Sequence, residues 1–174
     1  MANKTSEKLS NFEVYDGVLG RLLGLADVEL PTIEYLSETI SGAGIAGEID
    51  SPTLGHVSAM AMTLKFRVHE PEAIKLLAPK AHALELRGGI QRWNGSTGEY
   101  EIRPLKIVTR CVPKSGPLGT LAPGAMQEPT IEFSVKYIKE FLDGKALLEI
   151  DPNNYICVID GVDYLADLRT ALGL

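Results

Sequence analysis

The amino-acid sequence predicts a mainly β fold with one or two short helices. Apolar and polar residues alternate through several segments, and a period of two places alternate side chains on opposite faces of a strand. Asn-Gly and Asp-Gly pairs, which favour tight turns between antiparallel strands, follow some of these segments. The spacing of an amphipathic helix occurs only in short stretches, so we expect helices to contribute little.

The alternation is clearest in two segments. In residues 59–68, every second residue from Met60 is large and apolar, whereas the intervening residues are small, polar or cationic. Residues 130–142 begin with the same pattern. Each segment therefore predicts a strand with one apolar face for the core, and its other face meets water or a partner subunit.

Turn signals predict two hairpins. Asn94-Gly95 opens the connection between residues 83–93 and 99–112, and Asp143-Gly144 follows the strand at 130–142. Pro104 lies where the apolar alternation of its segment slips by one residue. A proline at such a position predicts a bulge or a strand edge, because it has no N–H to give to a ladder.

Two short helices are predicted. Residues 70–77 carry Pro71 near the start, where proline is tolerated. In residues 164–172, leucines fall on one helical face, Asp163 can cap the start and Gly173 can end the helix.

Length and composition predict a single domain over residues 1–174 with two long loops. The chain has 174 residues and 45% hydrophobic content, enough for one core. The loops are predicted at about 37–56 and 113–129, where glycine and proline interrupt every regular pattern. Loops of this length tend to be functional or to order on binding.

Charge and hydropathy argue against several classes of protein. The formal net charge of −6 disfavours a surface that grips phosphate, although it allows nucleic acid to pass nearby. The first eight residues are polar, without the apolar core of a signal peptide, and no apolar window is long enough for a membrane span. Cys111 and Cys157 lie in predicted strands and are expected to be reduced and buried, in a protein made in the cytoplasm.

Residues 42–47 match the G-x-G-x-x-G dinucleotide fingerprint in form. A working fingerprint needs a helix immediately after the glycines and an acidic residue about 20 positions further on. Pro52 and Gly55 disfavour the helix, and Arg67 and His69 stand where the acid belongs. The alternative is an extended glycine-rich loop, which we favour over a nucleotide site.

Other residues that could carry chemistry lack partners at suitable spacing, so we predict no catalytic residues, no metal and no cofactor. The candidates are the histidines His56, His69 and His82 and the aspartates Asp160, Asp163 and Asp167. The histidines are expected on a surface or an interface, because no metal-ligand spacing surrounds them. The aspartates suit a turn, a helix cap and a solvated helix face better than acid–base catalysis or a calcium site.

Eight segments in a fixed order, spread along nearly the whole chain, carry a resemblance to a known family. They are GLADVELP (24–31), ETISGAGIAGEIDSP (38–52), LGH (54–56), APKAH (78–82), LELRG (84–88), YIK (137–139), LEID (148–151) and IDGVDYLAD (159–167). In these segments the chain closely resembles the major tail tube proteins of contractile-tailed phages and of phage-tail-like bacteriocins (R-type tailocins).

The resemblance implies a β-sandwich or barrel-like subunit. Six subunits would form a ring in which their strands join one shared β-barrel, and rings would stack into a hollow tube inside a contractile sheath. The implied partners are further copies of the chain, the sheath protein, baseplate or tail-tip and terminator proteins, and a tape-measure protein in the lumen. The tube would be driven through the target envelope and would conduct DNA or ions, and we expect carboxylates in its lumen to repel phosphate.

The glycine run then becomes a contact loop between subunits, since glycines allow a partner backbone to approach closely. The predicted contact residues are Ser41, Gly42, Ala43, Gly44, Ile45, Ala46, Gly47, Glu48 and Asp50. Three alternatives remain: the tube protein of another contractile injection or secretion system, a nucleotide-dependent enzyme that uses the glycines, and a carbohydrate- or peptide-binding β-sandwich.

Overall fold

The structure is a computed structural model that describes residues 4–17, 20, 23 and 25–174. Gly24, which opens the first of the resembling segments, and the first three residues of the polar N-terminus lie outside the described residues. Eleven strands and two α-helices are described. They are β1 (Lys4–Asp16), β2 (Leu25–Glu29), β3 (Tyr35–Ser41), β4 (Glu48–Val57), β5 (Met60–Phe66), α1 (Pro71–Leu76), β6 (His82–Asn94), β7 (Glu99–Ser115), β8 (Thr130–Leu142), β9 (Lys145–Asp151), β10 (Ile156–Ile159), β11 (Val162–Asp163) and α2 (Ala166–Leu172).

Nine of the strands form one antiparallel sheet organised around β8. One edge of β8 pairs with β7, and the sheet continues through β6 to β1. The other edge is shared, because β5 pairs with residues 130–135 and β9 pairs with residues 138–142. The sheet therefore branches at β8, with β5 leading to β2 and β9 leading to β10 and β11. The two remaining strands, β3 and β4, pair only with each other.

The core lies on one face of this sheet, which we call the inner face. On β5, Met60, Met62, Leu64 and Phe66 are all buried, as the alternation predicts. They pack with apolar side chains of β6, β7 and β8 and with two residues of α1. Fully burying one such side chain contributes about 1.5–3 kcal/mol, so this cluster supplies much of the stability of the fold.

The predicted hairpins and helices agree with the structure. The first hairpin joins β6 to β7, and the second joins β8 to β9. Helix α2 ends at Gly173 in the left-handed conformation (φ 74°), which glycine adopts without the steric cost of a Cβ. The predicted Asp163 cap is wrong, because Leu165 is the N-cap residue and no side chain caps it; Asp163 instead accepts a hydrogen bond from the Leu165 N–H at 3.1 Å in the turn before the helix.

One of the two long loops predicted from the sequence is wrong. Residues 37–56 form most of the β3–β4 hairpin, and only the glycine run is irregular. Proline and glycine in the second strand hid the alternation, and the register of the pair shifts between Tyr35 and Ser37 to accommodate them. The other long loop is shorter than predicted, because β7 continues to Ser115 before residues 116–129 run without strand or helix.

Of the two structures predicted at Pro104, a bulge or a strand edge, the edge is confirmed, because β8 pairs with β7 only from Leu105 onward. Gly89 pairs with Pro104 in a continuous β6–β7 register. The Pro104 carbonyl accepts a hydrogen bond from the Asp143 N–H at 3.0 Å, so its backbone polar atoms point towards β8. Since β8 ends at Leu142, the missing N–H of Pro104 costs the sheet no ladder bond. The bulges of β7 lie further on, between Arg110 and Cys111 and between Pro113 and Ser115.

Candidate assembly surfaces

The β3–β4 hairpin projects from the sheet as a two-stranded ribbon, which we call the arm (residues 35–57). Its strands are hydrogen-bonded to each other but not to the main sheet. Gly55 is the one buried residue along the arm, and large apolar side chains such as Ile40 and Ile49 stay about half exposed (47% and 52%). An isolated two-stranded ribbon is marginal in water, so the arm needs further contacts to hold its shape.

The structure brings all nine predicted contact residues together at the distal end of the arm. Ser41 pairs with Glu48 at the last rung, Asp50 lies two residues further along β4, and the glycine run forms the tip. The tip glycines Gly42, Gly44 and Gly47 have φ values of 149°, 96° and 148°. These values favour glycine over residues with a side chain.

The tip geometry does not suit dinucleotide binding. Strand β4 begins directly after the glycines at Glu48, where the fingerprint requires a helix N-terminus to face the pyrophosphate. The tip turn is closed by a hydrogen bond from the Ile45 N–H to the Gly42 carbonyl at 3.1 Å. A Cβ added at Gly44 would have no neighbouring atom within 4 Å, so the surface above the tip is open for a partner.

The distal arm has two different faces. Ile40 pairs with Ile49, and their side chains share one face. On the opposite face, Thr39 pairs with Asp50 and Ser41 with Glu48. Successive residues of a strand point to opposite faces, so the arm offers an apolar pair on one side and carboxylates with hydroxyls on the other.

The arm is joined to the body of the molecule at Gly55. Gly55 has φ +68°, and a Cβ there would lie 2.5 Å from Cδ2 of the buried Leu165. Nearby, Tyr35 and Leu54 line a cavity of about 340 Å³ together with Cys157 and Tyr164. Burial raises the pKa of the Cys157 thiol, which is free and buried as predicted.

A second candidate surface is the outer face of the main sheet, opposite the core, which we call the charged face. Its charged side chains come from β1, β6, β7, β8 and β9. They are Glu13, Glu85, Arg87, Lys106, Arg110, Lys139 and Glu149. Sequence analysis predicts polar outer faces for strands in general but does not single out these residues; the period-two placement of Glu85 with Arg87 is the signal that could have identified them.

Opposite charges pair across this face. Glu85 contacts Arg87 of its own strand and Lys106 of β7, the latter at 3.1 Å. Burial acts to raise the pKa of Glu85, but the hydrogen bonds from Arg87 and Lys106 outweigh it, so the net pKa is lowered. Lys139 and Glu149 form a second pair at 2.8 Å between β8 and β9.

Aromatic rings complete the charged face. The Arg87 guanidinium lies 4.8 Å from the ring centre of Tyr15, and that of Arg110 lies 5.5 Å from the ring centre of Tyr137. Burial raises the pKa of Tyr137 to about 12, and a hydrogen bond from its hydroxyl to Glu149 acts in the same direction. The cations are therefore held by neighbours, which leaves few of them free to grip an anion.

The histidines and Asp163, which were considered for metal binding or catalysis, have structural roles or lie on the surface. His56 and His69 are exposed, but His82 is buried within the subunit (9% exposed), which corrects the surface or interface position predicted for it. The His82 Nε2 lies 3.1 Å from the Ala78 carbonyl oxygen, in the segment between α1 and β6. Its ring packs edge-on against the ring of Phe133. Asp163 forms an ion pair with Arg169 of α2, which also donates to the Tyr155 carbonyl oxygen.

Over residues 4–17, 20, 23 and 25–174, no group of three or more histidine, cysteine, aspartate or glutamate residues is arranged to hold a metal ion. In the same residues, neither helix is long and apolar enough to cross a membrane.

An apolar core beneath one large antiparallel sheet, a charged outer face and an exposed ribbon together define a structural β protein with surfaces for assembly. The chain belongs to the family of phage tail tube protein FII, whose family model matches residues 6–173. It is a structural tube subunit of a phage-like tail. No curated protein sequence matches the chain.

Solved structures share the fold at low sequence identity. The chain is similar to the sheath/tube terminator of an extracellular contractile injection system (PVC) in the extended state, with a TM-score of 0.58, 12% identity, and coverage of 80% of this chain and 99% of that chain. It is also similar to a chain of the PVC sheath-tube complex, with a TM-score of 0.48, 13% identity, and coverage of 78% of this chain and 88% of that chain.

Proposed function

We propose that six copies of this single-domain chain form a ring, and that rings stack into a hollow tube whose wall is one shared β-barrel. The arm is the observation that carries the proposal, because it presents half-exposed isoleucines and an open glycine tip that its own subunit does not cover. The free side of β1, which pairs with β6 alone among the described strands, supports joining of sheets between copies. Closure of strands into a barrel removes such edges, which would otherwise invite aggregation.

The charged face of each subunit lines the channel in this proposal. Three of its four cations form ion pairs with Glu85 or Glu149, and Arg110 stacks on Tyr137, so a passing polyphosphate meets few free cations. The net negative charge of the chain is concentrated in a segment outside this face. Residues 25–64 hold six carboxylates and no lysine or arginine, and in the remainder seventeen carboxylates equal seventeen basic residues. Charge pairing replaces acidic repulsion as the reason that cargo passes without adhering.

The tube acts by assembly and passive conduction of DNA or ions, without bond chemistry or a cofactor. Contraction of a surrounding sheath drives it through the target envelope as a rigid body. Its partners are the sheath protein, the baseplate or tail-tip and terminator proteins, and a tape-measure protein that occupies the lumen during assembly. It is made in the cytoplasm of a host bacterium and becomes part of a virion or a headless phage-tail-like particle.

The arm tip is the contact between subunits, and a pair of glycine variants tests it. Gly44→Val should leave a folded subunit but impair stacking into tubes, since valine blocks the close approach of a partner backbone. Gly98→Val is the matched control: Gly98 also has a positive φ (+71°, against +96° for Gly44) with no atom near its Cβ position, but it lies in the β6–β7 turn. Electron microscopy would measure tube length, and tubes of normal length from Gly44→Val would refute the role of the tip.

A second candidate is the tube of another contractile injection system. The likeness of fold to the terminator of an extracellular contractile injection system favours it. Particles purified from producing cells test this second candidate, because a capsid on them would identify a phage tail and exclude an injection machine.

A further inference from the structure

We infer that the distal arm of one copy binds an apolar groove at the open end of the core of a neighbouring copy. This inference rests on the proposed assembly into tubes and names the partner surface of the arm. The groove lies on the inner face of the main sheet, where β2 stops covering it. The residues that shape it include Leu9, Phe12, Val28, Leu30 and Leu105.

The groove is apolar and unfilled within its own subunit. Leu9 and Leu30 flank it and are about half exposed (46% and 48%). Its open volume is about 90 Å³. This is roughly the space of three liquid waters, enough for a branched aliphatic side chain. Single exposed leucines are ordinary, but two that flank an apolar cavity leading to the core indicate a site that a partner covers.

The distal arm has the shape and chemistry to fill this groove. Its apolar face carries Ile40 and Ile49 directly opposite each other, next to a tip without bulky side chains. The ribbon is only two strands wide, so Ile40 can enter the groove while the opposite face remains in water.

Charge selects the groove over another arm as the binding site. The arm carries three carboxylates, Glu38, Glu48 and Asp50, and no lysine or arginine, so two arms side by side would repel each other. The residues that line the groove include no carboxylate, so the acidic arm meets no like charge there. The contact is therefore heterologous, arm to groove, and a heterologous contact can propagate from copy to copy.

Disulfide trapping tests the inference directly. Tubes assembled from the double variant Ile40→Cys with Leu30→Cys would be oxidised and run on a non-reducing gel. We expect a ladder of covalent multimers, and no ladder from either single variant. The native Cys111 and Cys157 are buried and should not contribute. Ile40→Cys with Leu121→Cys is the control, because Leu121 is 82% exposed but lies in the loop after β7.

The outcomes separate this inference from the proposed function. Tubes that form normally but give no ladder, or a ladder from the control pair as well, would overturn the groove while leaving the tube intact. A fast-migrating monomer without multimers would show that the arm folds onto its own groove, which also overturns the inference. A wild-type protein that forms neither rings nor tubes would overturn both.

A charge variant gives a second readout that does not need a new disulfide. Leu30→Asp should remain folded, because Leu30 is half exposed, but it should lower the yield of tubes at least tenfold by placing a carboxylate where the acidic arm binds. Leu121→Asp introduces the same charge outside the groove and should assemble normally. Equal tube yields from the two variants would contradict the inference.

Discussion

The arm and the body of this molecule are both antiparallel β structure, yet they are stabilised in different ways. In the body, β5 buries every second side chain against β6, β7 and β8. In the arm, a single residue, Gly55, is buried. Contacts within the body therefore offset the entropy cost of folding it, whereas the arm has few such contacts within its own subunit. Local patterning in the sequence is weakest where a strand has no buried face.

The two regions also differ in charge. The segment that contains the arm holds the entire net charge of the chain, since the other residues carry equal numbers of acidic and basic groups. Carboxylates of the body such as Glu85 and Glu101 are paired with cations, whereas Glu48 and Asp50 of the arm make no ion pair with any described residue. This asymmetry gives copies of the chain a reason to meet arm to body.

The largest expected effect is on the body. Phe133→Ala should lower the free energy of unfolding by about 3–5 kcal/mol, because the Phe133 side chain is fully buried in the core and its removal leaves a cavity. Urea denaturation of unassembled protein at low concentration would measure it. Leu121→Ala, at an exposed position, should change the same quantity by no more than about 0.5 kcal/mol. If Phe133→Ala lowered the free energy of unfolding only slightly, the core around Phe133 would not be the source of stability.

An intermediate effect is expected where arm and body meet. Gly55→Val should cost about 1–3 kcal/mol, because the new Cβ would lie 2.5 Å from Leu165 Cδ2 at a positive φ. It should also speed cleavage of the arm by a glutamate-specific protease, because the clash with Leu165 would displace the base of the arm. Gly98→Val has a similar φ without a near neighbour and isolates the backbone strain from the clash. Equal losses from both variants would show that Leu165 does not hold the arm.

Sequence patterns predicted the body well for a physical reason. In residues 130–142, one face of the strand is buried and the other meets water, so alternation in the sequence mirrors the alternation of environments. The turn at Asp143-Gly144 is equally local, since its residues have the left-handed φ values that aspartate and glycine tolerate. Such elements depend on few distant contacts, and their bounds match the structure.

The arm and the charged face could be predicted only in part. The arm has no buried face to impose alternation on β4, so its sequence predicts a loop, although the resemblance to tail tube proteins indicates that its tip is a contact. On the charged face, Glu85 meets Lys106 only because β6 and β7 pair in one register, and single-strand patterns do not contain that register. Buried His82 was misplaced for the same reason, because its partners Ala78 and Phe133 come together only in the fold.

The smallest effect contrasts a paired carboxylate of the body with an unpaired one of the arm. Hydrogen bonds from Arg92, Lys4 and Asn94 lower the pKa of Glu101 from 4.5 to about 2. A lowered pKa in the folded state contributes stability that is present above pH 4.5 and is lost as the pH falls towards 2. Glu101→Gln should therefore be less stable than the wild type at pH 7, and the two urea midpoints should converge near pH 2. Glu48→Gln, which removes a carboxylate that has no ion pair with a described residue, should follow the wild type throughout. Two results would show that ion pairing does not distinguish the body from the arm. One is a Glu48→Gln urea midpoint that lies below the wild type at pH 7 and reaches it near pH 2. The other is a Glu101→Gln midpoint that differs from the wild type by the same amount at every pH.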